Sequence, residues 1–251
     1  MDQGSLIVNG KEVRYLTKGK GEPLIFLHGY SCEPYYYSEM LEKLSQKYKV
    51  YAPRVYGLEP FIRNYSLEDY VEITKCFIQK LGESQPYIVG HSLGGAIAIR
   101  CSEEMSNIRG IVCINNLYPN KNGVHRLLGS YIKMISREVS GRYVPKEKKH
   151  HVRKKALSYL PSFLFNKFKA PGPLISHLRE FGNFDFQKGV IEIPSLFLLS
   201  DKDEFIGIDK FSYLEDKFAN YKCEVVRNRG HMWPAYEPEE ISTKIIEFFN
   251  N

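Results

Sequence analysis

At 251 residues, with 43% hydrophobic and 25% charged side chains, the chain holds enough apolar material for one α/β domain with an insertion, and is too short for a second full domain. The net charge of +6, unaccompanied by any nucleic-acid-binding module, argues against a nucleic-acid partner. Cys32, Cys76, Cys101, Cys113 and Cys223 are odd in number and lack Cys-x-x-Cys spacing, which suggests neither a disulfide framework nor a zinc site and favours free buried thiols. Residues 1–15 carry several polar and charged side chains and no apolar core of signal-peptide length, and no later run approaches membrane-spanning length, so a cytoplasmic protein is expected.

In chain order, residues 5–8 and 13–17 read as antiparallel strands turned at Asn9-Gly10, a dipeptide that accepts the positive φ of a tight hairpin, and 24–27 as the next strand. The pattern then alternates: helix 36–48, strand 50–52, helix 67–81, strand 87–89, helix 93–105 and strand 110–114. It resumes with strand 195–199, a helix near 210–218, strand 222–226 and helix 238–249. Such alternation predicts βαβ units, and so an α/β fold with a mostly parallel, twisted sheet and helices on both faces. Residues 117–190 lack strand periodicity and hold helical stretches at 124–139 and 146–159; they are predicted to form a helical cap inserted between core segments 1–116 and 191–251.

Charge concentrates in the insertion. From Arg137 to Lys169 ten Lys and Arg face two Glu, which leaves the rest of the chain slightly acidic. A run of this kind is read first as a solvated face; the functional alternative is a weak contact with anionic substrates or an anionic lipid surface.

The chemistry concentrates elsewhere. Residues 87–95 read Tyr-Ile-Val-Gly-His-Ser-Leu-Gly-Gly, a buried-strand pattern that ends in a serine flanked at two places on either side by glycine, before a stretch of helical length. A serine on a sharp strand-to-helix turn crowds those two neighbours, which is why Gly90 and Gly94 carry the signal. A serine hydroxyl is a weak nucleophile at neutral pH and requires a base, itself oriented by a third group. Asp201 and Asp203 follow strand 195–199, at the carboxyl edge where parallel sheets present functional side chains. The residues after strand 110–114 are Asn115 and Asn116, which cannot supply an anion. His231 follows strand 222–226 and is the candidate base; His28 and His91 read as turn residues, and His125, His150, His151 and His177 fall in the cap.

On Leu27-His-Gly-Tyr, Gly90-His-Ser-Leu-Gly, Ser200-Asp-Lys-Asp and Gly230-His-Met-Trp-Pro, the chain resembles the α/β-hydrolase superfamily, in its branch of serine-nucleophile, cap-bearing esterases. The resemblance covers nearly everything but the cap, and the order Ser92, Asp203, His231 is the family's order. It implies Asp203 as the acid, with Asp201 the structural alternative, and an oxyanion hole from the backbone N–H groups of Tyr30 and Leu93. It also implies a serine hydrolase cleaving small-molecule carboxylic esters through an acyl-enzyme, with no metal or organic cofactor required. Carbon–carbon bond cleavage by the same triad, or a non-catalytic receptor on the same fold, are the alternatives. Haloalkane dehalogenase and epoxide hydrolase chemistry is disfavoured, because those relatives place an aspartate where this chain has Ser92.

The segment Arg54-Val-Tyr-Gly-Leu-Glu-Pro departs from the family's Asp-x-Pro-Gly pattern. Arg54 is the candidate partner of a substrate carboxylate, with a solvated loop arginine as the plainer reading, and Tyr118 and Trp233 are further candidate substrate contacts. The 18 Tyr and 15 Phe are numerous enough for an apolar acyl or aryl pocket, with Tyr35, Tyr36, Tyr37 and the cap aromatics Tyr131, Tyr143, Phe163, Phe165, Phe181 and Phe184 as candidates. Cys32 lies close to the expected site, where passive packing is the plainer reading and sensitivity to oxidation the alternative.

Overall fold

The computed structural model describes residues 1–30, 32–54, 66–118, 185–186, 189–206 and 211–250, with scattered positions between 129 and 150. Strands β1 (Asp2–Val8) and β2 (Lys11–Lys18) form the expected antiparallel hairpin, with Asn9 at φ 48° and Gly10 at φ 75° making the turn. Strands β3 (Pro23–Leu27), β4 (Lys49–Pro53), β5 (Tyr87–His91), β6 (Gly110–Ile114), β7 (Ser195–Ser200) and β8 (Tyr221–Val226) complete an eight-stranded sheet. Its order is β1-β2-β4-β3-β5-β6-β7-β8; β2 joins β4 antiparallel, and every pairing from β4 to β8 is parallel.

Successive residues of the central strands feed opposite faces, as a pleat of period two requires. On one side Ile25, Leu27, Ile88, Ile111, Cys113 and Phe197 pack with helices α2 (Leu67–Leu81) and α3 (Leu93–Glu104) and the short α4 (Tyr213–Lys217). On the other, Leu24, Phe26, Val89, Val112, Ile114 and Leu198 pack with α1 (Ser38–Leu44) and α5 (Pro238–Asn250). Helix α2 starts at a reciprocal cap, Asp69 N–H donating to Ser66 Oγ at 3.2 Å and Ser66 N–H to Asp69 Oδ2 at 2.8 Å, and stops at Gly82 with φ 69°.

Helix α1 is shorter than its periodicity predicts. Pro34–Tyr37 forms a 3-10 turn ahead of it, and past Leu44 the chain tightens to three-residue spacing, Lys47 N–H donating to Leu44 O at 3.0 Å. The segments 55–65 and 207–210, the predicted helix 146–159 beyond residue 150 and the cap aromatics Tyr131, Tyr143, Phe163, Phe165, Phe181 and Phe184 lie outside the described residues. Within the predicted helix 124–139, residues 129–130, 132–134 and 136–137 are helical. Among the described residues no helix is long and apolar enough to cross a membrane.

Candidate active site

The strand order reverses beside β3: β4 lies on one side of it and β5 on the other, which opens a crevice at their carboxyl ends. The catalytic, oxyanion and substrate-contact candidates among the described residues fall along this carboxyl edge: Tyr30 and Arg54 after β3 and β4, Ser92 and Leu93 after β5, Tyr118 after β6, Asp203 after β7, and His231 and Trp233 after β8.

Ser92 sits between β5 and α3 at φ 55° and ψ −118°, a conformation rarely adopted by a residue with a Cβ. Ser92 is the N-cap residue of α3 by position, but its side chain makes no capping bond, so capping does not account for the serine. The backbone holds the strain in place: Ser92 N–H donates to Ile114 O at 2.9 Å, and Ser92 O accepts from Gly95 at 3.0 Å and Leu117 at 3.1 Å. The flanking glycines are required for contact reasons. A Cβ on Gly90 would lie 2.2 Å from Gly94 O, and one on Gly94 2.1 Å from Leu27 O, so β5, α3 and β3 approach backbone to backbone here.

Asp203 and His231 are brought together from β7 and β8. His231 Nδ1 lies 2.6 Å from Asp203 Oδ2, with both residues buried. A carboxylate only accepts, so Nδ1 carries the proton and Nε2 is left as the basic nitrogen. The second carboxylate oxygen, Oδ1, accepts from Phe205 N–H at 2.9 Å and Ile206 N–H at 3.0 Å, which fixes the plane of the carboxylate. Asp203 thus caps its own loop and engages the histidine, whereas Asp201 lies beside Lys202 Nζ at 3.3 Å.

His231 is fastened to the serine turn through its own carbonyl. That oxygen accepts from His91 Nε2 and from Asn115 Nδ2, each at 2.9 Å, and the His91 and His231 rings lie 4.8 Å apart. His91 immediately precedes Ser92, and Asn115 follows β6, the strand beside β5. Tyr37 Oη lies 2.7 Å from His91 Nδ1. Burial holds His91 neutral, its pKa well below the ordinary histidine value, and burial likewise pushes His28 down to about 4.

The loop after β3 passes over the serine: a Cβ on Gly29 would lie 3.3 Å from Ser92 Cβ and 3.1 Å from His91 Nδ1. This places the peptide of Tyr30 beside the turn, while Leu93 opens α3, where the first N–H groups have no partner within the helix. Both side chains are buried. Tyr118 is buried too, its ring 5.6 Å from that of Phe211.

One expectation is corrected. Trp233, at 1% exposure, belongs to the buried cluster of the α1/α5 face with Met40 and Ile241, because Pro234 and the 3-10 turn Trp233–Ala235 direct it into the core, so it has no face for a substrate. Tyr37, one of the aromatics that could line a pocket or fill the core, is core: it is 1% exposed and packs on Phe26 and His91. Arg54 is half-exposed and pairs with Glu33 at 2.9 Å, a solvent-accessible ion pair. The sequence alone does not single out Asn115, which reads there as unable to supply an anion, or His91, which reads as a turn residue; the signal for both is a polar side chain next to the motif or at a buried strand end, which needs partners.

The model of the alpha/beta hydrolase family matches residues 24–243. The chain therefore belongs to the alpha/beta hydrolase family, and is by that membership a hydrolase. It is 27% identical over 95 residues to a soluble epoxide hydrolase of Corynebacterium sp. (strain C12), covering 37% of this chain and 33% of that one. Against an sn-1-specific diacylglycerol lipase of Danio rerio it is 19% identical over 254 residues, covering 92% of this chain and 79% of the lipase. Among solved structures, a serine hydrolase involved in carbazole degradation superposes with a TM-score of 0.76 at 18% identity, over 99% of this chain and 98% of that one.

Proposed function

We propose that the protein is a serine hydrolase of carboxylic esters with a hydrophobic acyl or aryl group, and that Ser92, His231 and Asp203 are its catalytic residues. The observation that carries this reading is the 2.6 Å contact between His231 Nδ1 and Asp203 Oδ2, on a histidine tied by its carbonyl to the residue before the strained serine. Ser92 Oγ attacks the ester carbonyl while His231 Nε2 takes its proton. The resulting oxyanion is received by the N–H groups of Tyr30 and Leu93, with the positive end of α3 behind Leu93. His231 returns the proton to the leaving alcohol oxygen, leaving an acyl-enzyme ester on Ser92. Water, deprotonated by the same nitrogen, attacks that ester and releases the acid and the free serine.

The names of the relatives span epoxide and ester chemistry, and the nucleophile favours the second. A serine oxygen that opened an epoxide would form an ether, which water activated by a histidine does not cleave. A serine acyl ester, by contrast, is readily hydrolysed. The half-buried ring of Tyr36 supports an apolar substrate, and the pairing of Arg54 with Glu33 supports a neutral one.

The test is hydrolysis of a p-nitrophenyl ester series from acetate to long acyl chains by the intact protein and by Ser92→Ala. Turnover that peaks at one chain length and is lost in the variant is the expected result. Activity that survives Ser92→Ala overturns the site, and absence of serine-dependent turnover on every ester moves the reading to carbon–carbon cleavage or to a non-catalytic receptor.

A further inference from the structure

The carbonyl of His231 has two lone pairs and two buried donors, the ring N–H of His91 and the side-chain amide of Asn115, both at 2.9 Å. They arrive from different elements, the end of β5 and the end of β6, at residues 140 and 116 positions away in sequence. We propose that His91 and Asn115 act together as positioning residues, a two-donor clamp on the His231 carbonyl that holds the imidazole against Asp203 and fixed relative to the serine turn. This rests on the reading of His231 as the general base.

Each half of the clamp has its own support. Because the His231 carbonyl can only accept, His91 Nε2 must carry its proton; the ring is neutral, so Nδ1 is bare and Tyr37 O–H donates to it at 2.7 Å. Tyr37 therefore selects the tautomer that makes His91 a donor. Asn115 holds φ 43°, a backbone region that asparagine tolerates better than most residues. Its Oδ1 accepts from Ser200 N–H at 2.8 Å, which fixes the amide plane and turns Nδ2 toward Ser200 Oγ and His231 O, each at 2.9 Å. One amide thus registers the ends of β6 and β7 against the histidine loop. An aspartate, the same size and equally tolerant of this backbone, would keep the bond from Ser200 N–H but present an oxygen, not a donor, to the His231 carbonyl.

The clamp makes a prediction that ordinary packing does not. With either donor lost the carbonyl still has the other; with both lost a buried acceptor stands alone, and the two substitutions are then more than additive. The readout is the rate at which a fluorophosphonate labels Ser92, measured per folded molecule on the full chain, beside kcat and KM on the best p-nitrophenyl ester. The variants are Asn115→Gly, which suits the positive φ, Asn115→Asp, His91→Phe, and the double variant Asn115→Gly/His91→Phe.

Single variants are expected to slow labelling and kcat about tenfold with little change in KM, and the double variant to lose well over a hundredfold. Asn115→Asp should fall at least as far as Asn115→Gly, because repulsion replaces a lost bond. Labelling at the wild-type rate in the double variant, with only the unfolding midpoint lowered, overturns the clamp. So does a double loss no larger than the product of the singles. Labelling of the intact protein without ester turnover defeats the ester reading alone and leaves the labelling rates to judge the clamp; no labelling of the intact protein defeats both.

Discussion

At Asp203 one carboxylate does two jobs with two oxygens: Oδ1 is spent on the loop amides and Oδ2 on His231. Asp203→Asn should leave the loop bonds and remove the charge that stabilises a protonated His231. An ester kcat lower by on the order of a thousandfold or more is expected, with the unfolding midpoint little altered. A loss of less than tenfold in a kcat assay would show that Asp203 does not serve the histidine. His28 bears on stability instead. Buried after β3, it is neutral in the folded protein down to about pH 4, chiefly through desolvation, while an unfolded chain takes up the proton near the ordinary value of 6.5. The unfolded state therefore binds more protons between these values, and stability falls as pH drops through that window, by about 3 kcal/mol in all for this group. Urea midpoints of the intact protein and His28→Gln, followed from pH 7 to pH 4, should show a shallower acid slope in the variant.

At the scale of elements, the β5–α3 turn depends on three backbones meeting without side chains between them. Gly90→Ala would push a methyl group to 2.2 Å from Gly94 O, and because that atom is backbone the turn itself must move. A cost of about 3 kcal/mol or more is expected, and a misplaced Ser92 with it. Denaturation curves and fluorophosphonate labelling of Gly90→Ala check both effects, and a stable, labelled variant would refute the close approach. The same turn shows why a helix starts at Leu93: the strained serine ends the strand, and small residues let α3 lie against the sheet without a side-chain cap.

Across the whole molecule, a buried charge network joins the helices of one face. Arg100 on α3, at 4% side-chain exposure, pairs with Glu68 at 2.8 Å, Glu104 at 3.0 Å and Glu103, and Glu103 in turn meets Lys217 of α4. Helix α3, which begins beside Ser92, is thereby locked to the helix that leads into β8 and His231. Glu103→Gln would leave Lys217 without its carboxylate and Arg100 with a weaker partner set, at an expected cost of about 3 kcal/mol or more in urea unfolding. Adding Lys217→Met should return part of that loss; a Glu103→Gln chain as stable as the parent would show that the network is not buried in solution.

The sequence by itself determined the hairpin, the alternation of strands and helices and the identity of Ser92, Asp203 and His231 as candidates, because each is written locally: Asn9-Gly10, period-two strands, glycines around a serine, and polar residues just past strand ends. Tertiary structure decided what depends on neighbours distant in the chain. It put Asp203 and not Asp201 on the imidazole, turned Trp233 and Tyr37 into core, paired Arg54 with Glu33, and gave Asn115 and His91 a shared acceptor 116 and 140 residues away. Local patterns report which face of an element is apolar and where it ends. Which polar atoms then meet is fixed by sheet order and register, which bring the ends of β5, β6, β7 and β8 side by side.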